Sequence, residues 1–349
     1  MITNKPVCVT GASGFIAAYI VQELLAKGYR VKGTVRKNPA NYPYLLNLPG
    51  ATERLDLVEA ELLSVGAYDN AVEGCDYVIH TASPYQINVK NPQTDLVDPA
   101  VNGTESVLES CLKSGNVKRV IFTSSIAAIT DEPDSTKIFT EKDWNTMSSL
   151  DRNPYQYSKT LAEREAWDFI MRKRPTFDFV SINPVMVIGP SLGPSLNTSN
   201  QMIRDIMVGT FPVIMDITWG FVDVRDVAKA HILAMETETA SGRYLCSAET
   251  LHMKALVTLL KLSGFDNYAL PKIDLSGKAG TQLMKLLSFT QPRDTGMFIR
   301  TNIGRIMRCD NTKIKRDLRI SFMSVKNSII ETVKDMEKWG HLTKKNNNN

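Results

Sequence analysis

The chain has 349 residues, a formal net charge of +4, and 43% hydrophobic and 22% charged residues. These proportions are typical of a globular protein and exclude a disordered or fibrous chain. The length predicts a second, smaller domain or a large insertion. The charge is spread along the chain, and its one compact basic cluster, at 172–174, follows a helical pattern. We therefore expect no nucleic-acid partner.

Targeting and metal-binding patterns are also missing from the sequence. It has no run of about 18 apolar residues, and its first residues are too polar for a signal peptide, so we expect no membrane association and a cytoplasmic location. The five cysteines are odd in number and widely spaced, which is typical of reduced thiols. The four histidines show no paired spacing with each other or with cysteine, and we predict no metal.

The order of elements predicts an α/β protein. An apolar run at 7–10 predicts a strand, 11–14 a turn, and the apolar spacing over 15–26 a helix that ends before Gly28. Further β-type runs lie at 30–35, 77–79, 120–123 and 177–182, with helical patterns between them. Strands that alternate with helices form βαβ units, so we predict a doubly wound, mostly parallel sheet.

The second half of the chain breaks this rhythm. Residues 183–200 hold three prolines and two glycines, which predicts a loop or lid on the substrate side. A strand-then-helix pattern returns at 221–235, and 243–246 reads as another strand. We predict a dinucleotide-binding domain of 1–185 and 216–247 and a discontinuous substrate domain of 186–215 and 248–342. The last helix is predicted at 324–339, and 343–349 as a disordered tail.

A glycine-rich turn lies between the first predicted strand and helix. Gly11 permits a tight turn, Gly14 lets a pyrophosphate approach the N–H groups of a helix N-terminus, and Ala17 keeps the helix near the sheet. This is the setting of a dinucleotide-binding fingerprint, although a plain glycine-rich turn is the alternative. The predicted cofactor contacts in this turn are Gly11, Ser13, Gly14, Phe15 and Ile16.

The residues after the second predicted strand distinguish the two nicotinamide cofactors. An acidic residue there would bind the ribose 2′-hydroxyl of NAD, but 24–52 contain no Asp or Glu. Arg36 and Lys37 stand there instead, and an arginine can pair with the 2′-phosphate of NADPH. We predict NADPH/NADP+ as the cofactor; the alternative is a basic pair that faces solvent.

Three residues have the chemistry of carbonyl reduction. Tyr155 and Lys159 share a helix face, although about one such spacing is expected by chance among 11 tyrosines and 41 basic residues. Ser125 strengthens the signal, because it ends an apolar strand where ligands of such sheets bind. We predict that Tyr155 donates a proton, that Lys159 favours its phenolate and binds ribose, and that Ser125, rather than Ser124, orients the carbonyl. Packing and a local cap are the alternative roles.

The motifs at 10–16, 155–159 and 183–190 resemble those of the extended short-chain dehydrogenases/reductases. The nearest branch is dihydroflavonol reductase-like and includes cinnamoyl-CoA reductases and methylglyoxal or ketone reductases. The resemblance implies a Rossmann sheet and the same roles for Ser125, Tyr155 and Lys159. It also implies further cofactor contacts: Asp56 and Leu57 beside adenine, Thr81, Ala82 and Ser83 along the cofactor, and Pro184 and Val185 beside the carboxamide.

Three positions depart from that family. Ala17 replaces a third glycine, which the motif tolerates. Pro43 stands where the plant enzymes carry a lysine for the 2′-phosphate, so Lys37 would take its place. Thr130 stands where flavonoid reductases keep a substrate-binding asparagine, which favours a different carbonyl compound.

We therefore predict an enzyme that reversibly reduces an aldehyde or ketone, a small-molecule substrate, to an alcohol with NADPH. A hydroxysteroid dehydrogenase, a nucleotide-sugar epimerase and a non-catalytic NADP(H) sensor are the alternatives. Both a monomer and a homodimer fit the sequence. The candidate pocket walls, which equally suit a hydrophobic core, are Met186, Met202, Phe211, Met215 and Trp219.

Overall fold

The structure is a computed structural model that describes residues 5–64, 66–83 and 89–342. Its strands are β1 (Val7–Thr10), β2 (Val31–Val35), β3 (Leu55–Glu59), β4 (Tyr77–His80), β5 (Arg119–Thr123), β6 (Asp178–Pro184), β7 (Met186–Ile188), β8 (Val213–Ile214), β9 (Thr218–Asp223), β10 (Gly242–Cys246), β11 (Glu249–His252) and β12 (Ile273–Asp274). Its α-helices are α1 (Phe15–Ala26), α2 (Pro43–Leu46), α3 (Ala51–Arg54), α4 (Asp69–Val72), α5 (Asp98–Ser114), α6 (Pro154–Lys173), α7 (Thr198–Met207), α8 (Val224–Glu236), α9 (Met253–Leu260), α10 (Lys278–Leu287), α11 (Arg293–Asn302), α12 (Thr312–Leu318) and α13 (Val325–Lys338).

Seven parallel strands form the central sheet in the order β10-β6-β5-β4-β1-β2-β3. Alternate residues of its strands face opposite layers of helices. Val9 and Ile121 pack in the cluster with α1 and α8, whereas their neighbours Cys8 and Val120 pack in the cluster with α5 and α6. Because both faces are covered, the inner strands are continuous apolar runs. The predicted doubly wound α/β class is confirmed.

Apart from the two clusters that cover the central sheet, another hydrophobic cluster lies beside two small sheets; it is called the second cluster below. The first has the order β11-β9-β7, with β11 antiparallel to β9, and the second pairs β12 with β8. Side chains from α7, α9 and α13 fill this cluster. The expectation of an irregular segment at 183–200 was wrong in part, because β6 ends there at Pro184, β7 follows, and α7 begins at Thr198. The partner of β7 is β9, some thirty residues further along the chain, so local sequence carried no sign of the pairing.

Several boundaries differ by a few residues, and five strands were not predicted. The predicted helix at 324–339 runs over Val325–Lys338. The missed strands are β3 in the central sheet and β7, β8, β11 and β12 in the two small sheets. The expected tail at 343–349 lies outside the described residues. All five cysteines have free thiols. Among the described helices, none has the length and apolarity needed to cross a membrane.

A buried carboxylate joins α8 to the segment that leads into α13. Asp226 is 3% exposed, and its Oδ2 accepts a hydrogen bond from the backbone N–H of Met323 at 2.7 Å. Burial, followed by the nearby charge of Asp223, raises the pKa of Asp226 to about 6. The charged form is therefore less stable in the fold than in the unfolded chain.

We expect Asp226→Asn to stabilise the protein at alkaline pH. The folded-state pKa lies above the unfolded value, so the penalty is absent below about pH 4 and complete above about pH 6. The amide oxygen still accepts from Met323, and urea unfolding should show a gain of about 1–3 kcal/mol at about pH 8 and none at about pH 4.

Asp223→Asn is the matched control. Asp223 accepts from the backbone N–H and the guanidinium of Arg225 at 2.8 Å, so its loss of charge should destabilise the fold at alkaline pH. An equal gain for Asp226→Asn at both pH values would contradict a penalty caused by ionisation.

Candidate active site

The glycine turn has the geometry of an anion-binding loop. Gly11 has a φ of 65°, and a Cβ on it would meet the Cα of Ala82 at 3.0 Å. Gly14 precedes α1 in an extended conformation, and no side chain caps this helix N-terminus. Among the described residues, no side chain accepts from the first N–H groups of α1, which is the condition under which a helix N-terminus binds phosphate. Ala17, 1% exposed, packs in the core as expected of a small third residue.

The segment after β4 lies against this turn through one threonine. The Thr10 hydroxyl accepts hydrogen bonds from the backbone N–H groups of Thr81 and Ala82, each at 3.1 Å, and contacts His80 Nδ1 at 2.7 Å. Burial, with a smaller contribution from the Lys159 charge, lowers the pKa of His80 to about 3. His80 is thus neutral at physiological pH and adds no positive charge beside Lys159. The structure brings the predicted residues Thr81, Ala82 and Ser83 to the turn.

Arg36 and Lys37 follow β2 and are both exposed. In the described part of the chain, no hydrogen bond or ion pair engages either side chain. Both therefore remain available to a phosphate at the carboxyl edge of the sheet, where parallel strands place their ligands.

The two predicted adenine contacts on β3 differ in position. Leu57 lies beside Gly33, whose added Cβ would meet Leu57 Cδ2 at 2.8 Å and Ala12 Cβ at 2.9 Å, so Leu57 is near the glycine turn. Asp56 pairs in register with Lys32, near the amino end of both strands. The structure does not bring Asp56 to the carboxyl edge, because three more residues of β3 follow it.

Glu61 and Leu62 occupy the place expected for Asp56. β3 ends at Glu59, and these two residues follow it at the carboxyl edge. Leu62 rests on Gly103 of α5, where an added Cβ would meet Leu62 Cγ at 2.6 Å. The sequence did not mark them, because consecutive Leu57 and Val58 break the alternation of 55–59 and leave the end of the strand undefined.

Lys159 joins the predicted catalytic pair to the cofactor residues. Its Nζ donates a hydrogen bond to Ser83 Oγ at 2.8 Å and lies 5.7 Å from the centroid of the Tyr155 ring. The residue is 9% exposed, and burial lowers its pKa to about 8. The structure therefore brings Tyr155 and Lys159 together on one face of α6, as their spacing predicts.

Ser125 lies two residues after the end of β5 and caps a short 3-10 helix, Ile126–Ala128. Its Oγ accepts the backbone N–H of Ala127 at 3.1 Å. Thr160 of α6 donates to the carbonyl of Ala127 at 3.2 Å, which joins the catalytic helix to this turn. The capping role offered as an alternative is real, but it uses Ser125 as an acceptor and leaves its O–H as a donor.

Pro184 ends the neighbouring strand β6, and Val185 follows it. Asn183, just before them, donates through Nδ2 to the carbonyl of Ser125 at 3.2 Å, so both predicted residues lie beside the serine. Thr130, at the departure from the flavonoid enzymes, donates its hydroxyl to the carbonyl of Glu132 at 2.6 Å. Its proton is already used within the protein.

The candidate pocket walls belong to the second cluster. Met215 and Trp219 are buried in it, 3% and 8% exposed. Met186, Met202 and Phe211 are half-buried and pack against it. Met215 and Trp219 thus serve as core, and only the half-buried three keep surface for a ligand.

The N-terminus of α6 is fixed by a carboxylate that the sequence did not reveal. Asp131 is fully buried and accepts hydrogen bonds from Arg152 Nε at 2.6 Å and Asn153 Nδ2 at 2.8 Å. Asn153 has left-handed backbone angles, φ 49° and ψ 62°, immediately before the helix. Tyr155 follows Asn153 by two residues, so these contacts hold the first turn of α6, which carries the tyrosine.

Comparisons with known proteins show the family of this chain. The chain belongs to the NAD dependent epimerase/dehydratase family, whose family model matches residues 7–246. It is 47% identical over 264 residues to cinnamoyl-CoA reductase CAD2 of Medicago truncatula, covering 73% of this chain and 79% of that protein. Cinnamoyl-CoA reductase 1 of Petunia hybrida is 39% identical over 347 residues, covering 98% and 95%. The predicted resemblance to extended short-chain reductases is confirmed.

A solved structure extends the similarity to the whole fold. Gre2 from Candida albicans, in complex with NADPH, matches with a TM-score of 0.78 at 32% identity. The match covers 96% of this chain and 99% of that one. The small sheets beside the central one are therefore included in the shared architecture.

The left-handed conformation at Asn153 gives a test of how the helix start is held. Asparagine tolerates this conformation and glycine adopts it freely, whereas alanine pays about 1–2 kcal/mol. Both Asn153→Gly and Asn153→Ala lose the hydrogen bond to Asp131. We therefore expect the alanine variant to be about 1 kcal/mol less stable than the glycine variant in urea unfolding. Equal stability of the two variants would show that α6 begins without this constraint.

Proposed function

We propose that this protein is an NADPH-dependent reductase of a carbonyl group in a small molecule. The observation that supports this proposal most directly is the position of Lys159. Its ammonium lies 5.7 Å from the centre of the Tyr155 ring and donates a hydrogen bond to Ser83. Ser83 follows Ala82, which packs against Gly11. The predicted acid and the predicted cofactor loop are therefore adjacent. Hydride transfer to a carbonyl requires this adjacency, since the oxygen gains negative charge beside the cofactor.

The residues present fit a phosphorylated dinucleotide. The uncapped N-terminus of α1 suits the pyrophosphate, and the close approach of Gly11 to Ala82 leaves no room for a side chain. Exposed Arg36, with Lys37, suits the 2′-phosphate, and Glu61 and Leu62 replace Asp56 as our proposed neighbours of adenine. When bound, NADPH supplies the hydride. The Gre2 structure in complex with NADPH supports this choice.

Tyr155 donates the proton to the carbonyl oxygen. A phenol is a weak acid in water, and the ammonium of Lys159 stabilises the phenolate that remains. With a pKa of about 8, Lys159 is mostly protonated at neutral pH and loses its charge as the pH rises further. The neutral His80 does not compete with it for negative charge.

Ser125 orients the carbonyl that receives the hydride. The backbone N–H of Ala127 occupies a lone pair of its Oγ, which points the hydroxyl proton away from the 3-10 helix. Ser124 does not fill this role, because its hydroxyl donates to Glu163 at 2.6 Å.

The substrate is an aldehyde, ketone or related acyl compound that binds between the sheet edge and the unit formed by 186–215 and 248–342. Because cinnamoyl-CoA reductases are among the relatives, aromatic thioesters should also be tested as substrates. The decisive experiment follows NADPH oxidation optically with a panel of aldehydes, ketones and cinnamoyl-CoA-type thioesters. Absence of turnover across the panel, with NADPH bound, would favour the non-catalytic sensor.

Replacing the proton donor gives the first functional test. We expect Tyr155→Phe to lower kcat at least about a hundredfold, because the oxyanion loses its proton donor, while NADPH affinity is retained. Tyr157→Phe is the matched control, since this half-buried tyrosine lies on another face of α6, and it should keep kcat within about twofold. Turnover retained in Tyr155→Phe would exclude Tyr155 as the donor.

Replacing Arg36 tests the choice of cofactor. We expect Arg36→Ala to lower kcat/KM for NADPH about ten- to a hundredfold and to leave the value for NADH unchanged, since only NADPH carries the 2′-phosphate. Arg30→Ala serves as control, because this exposed arginine lies at the opposite end of β2. An unchanged preference in Arg36→Ala, or a native preference for NADH, would overturn the assignment.

A further inference from the structure

One buried carboxylate connects the catalytic helix to the strand ends that face it. Glu163 is fully buried and follows Lys159 by four residues, on the same face of α6 as Tyr155. Its two oxygens accept hydrogen bonds from groups on β6, β10, α6 and the residue after β5. The donors are Ser124 Oγ at 2.6 Å, Ser181 Oγ at 2.8 Å, Asn183 Nδ2 at 2.7 Å, Trp167 Nε1 at 3.3 Å, and Arg243 Nε and Nη2 at 2.7 and 3.1 Å.

Arg243 balances the charge of this carboxylate and is itself held firmly. Its remaining N–H groups donate to the backbone carbonyls of Glu141, Asp143 and Ala128. Its guanidinium carbon lies 3.9 Å from the centroid of the Trp144 ring. A buried carboxylate paired in two places with a fixed arginine cannot shift without breaking several contacts, so Glu163 is a rigid reference point.

Two links lead from Glu163 to Ser125. Ser124, the residue before it, donates directly to Glu163 Oε2. Asn183 Nδ2 donates both to the same oxygen and to the backbone carbonyl of Ser125, at 2.7 and 3.2 Å. The serine is therefore held on both sides by one oxygen of a residue on the helix that carries Tyr155 and Lys159.

We propose that Glu163 is a positioning residue that sets Ser125 in register with Tyr155 and Lys159. This inference rests on the proposed function, since it concerns the distance between the carbonyl-orienting serine and the proton donor. Neither Glu163 nor Arg243 contacts the reacting atoms. Their effect passes through the Ser124 and Asn183 links, because misplacement by a fraction of an ångström is enough to lower the rate of a positioned reaction.

The chain offers a matched pair of variants to test it. Ser124→Ala and Ser181→Ala each remove one buried hydroxyl from the same carboxylate, without changing charge. Ser124 is the residue bonded to Ser125, whereas Ser181 reaches Ser125 only indirectly, through a 3.2 Å hydrogen bond to Asn183 Oδ1 that leaves both Nδ2 links of Asn183 in place. We expect Ser124→Ala to lower kcat about tenfold or more, with NADPH affinity within about twofold, and Ser181→Ala to keep kcat within about twofold. Urea unfolding should show similar losses of stability for both.

Asn183→Ala tests the second link and separates positioning from a direct role of Ser124. It should lower kcat as Ser124→Ala does, and the double variant should lose less than the product of the two single effects, because both act through Ser125. Equal kcat in the two serine variants, or a loss in Ser124→Ala alone while Asn183→Ala is unaffected, would overturn the inference.

Failure of the proposed function has a different outcome. The proposed reaction is wrong if none of the carbonyl compounds in the panel supports NADPH oxidation by the unmutated protein, or if Tyr155→Phe retains turnover. The positioning inference then fails with it. If turnover is present and depends on Tyr155, the comparison of Ser124→Ala with Ser181→Ala decides the inference by itself.

Discussion

The parallel pairing of seven strands determines where the strand-end groups of the candidate active site lie. In a parallel sheet all carboxyl ends meet at one edge, and the chain must turn there after each strand. The glycine turn, the segment at 81–83, Ser125 and Pro184 each follow a different strand at this edge. Residues more than a hundred positions apart in sequence thus become neighbours because their strands share one sheet, and no direct contact between each pair is needed.

Much of this could be predicted from the sequence because its signals are local. Gly11 and Gly14 stand between an apolar strand and a helix, and Tyr155 and Lys159 are one helical turn apart, so short-range spacing predicted that the members of each pair lie close together. Asp56 was misplaced because the end of β3 is a matter of strand register, which pairs Lys32 with Asp56 and Val35 with Glu59. The structure supplied that register and moved the proposed adenine contacts to Glu61 and Leu62.

Other features could not be predicted because they join distant parts of the chain. Glu163 and Arg243 are 80 residues apart, and no spacing in the sequence pairs them. Only the packed fold shows that they are one buried ion pair. Met215 and Trp219 are apolar residues that suit a core as well as a pocket, and the choice depends on the packing of the second cluster. Burial, which sequence patterns report poorly, decided both cases.

Burial also separates the roles of the charged and polar groups along α6. Asp131 holds the start of the helix and Glu163 its third turn, and the proposed catalytic residues Tyr155 and Lys159 lie between these anchors. Each anchor is satisfied by its own arginine, Arg152 or Arg243, so neither takes the charge of Lys159. The buried Lys159 ammonium instead donates to the Ser83 hydroxyl and lies near the Tyr155 ring. The helix therefore holds the positive charge that the proposed reaction requires beside Tyr155, while the structural ion pairs stay on either side.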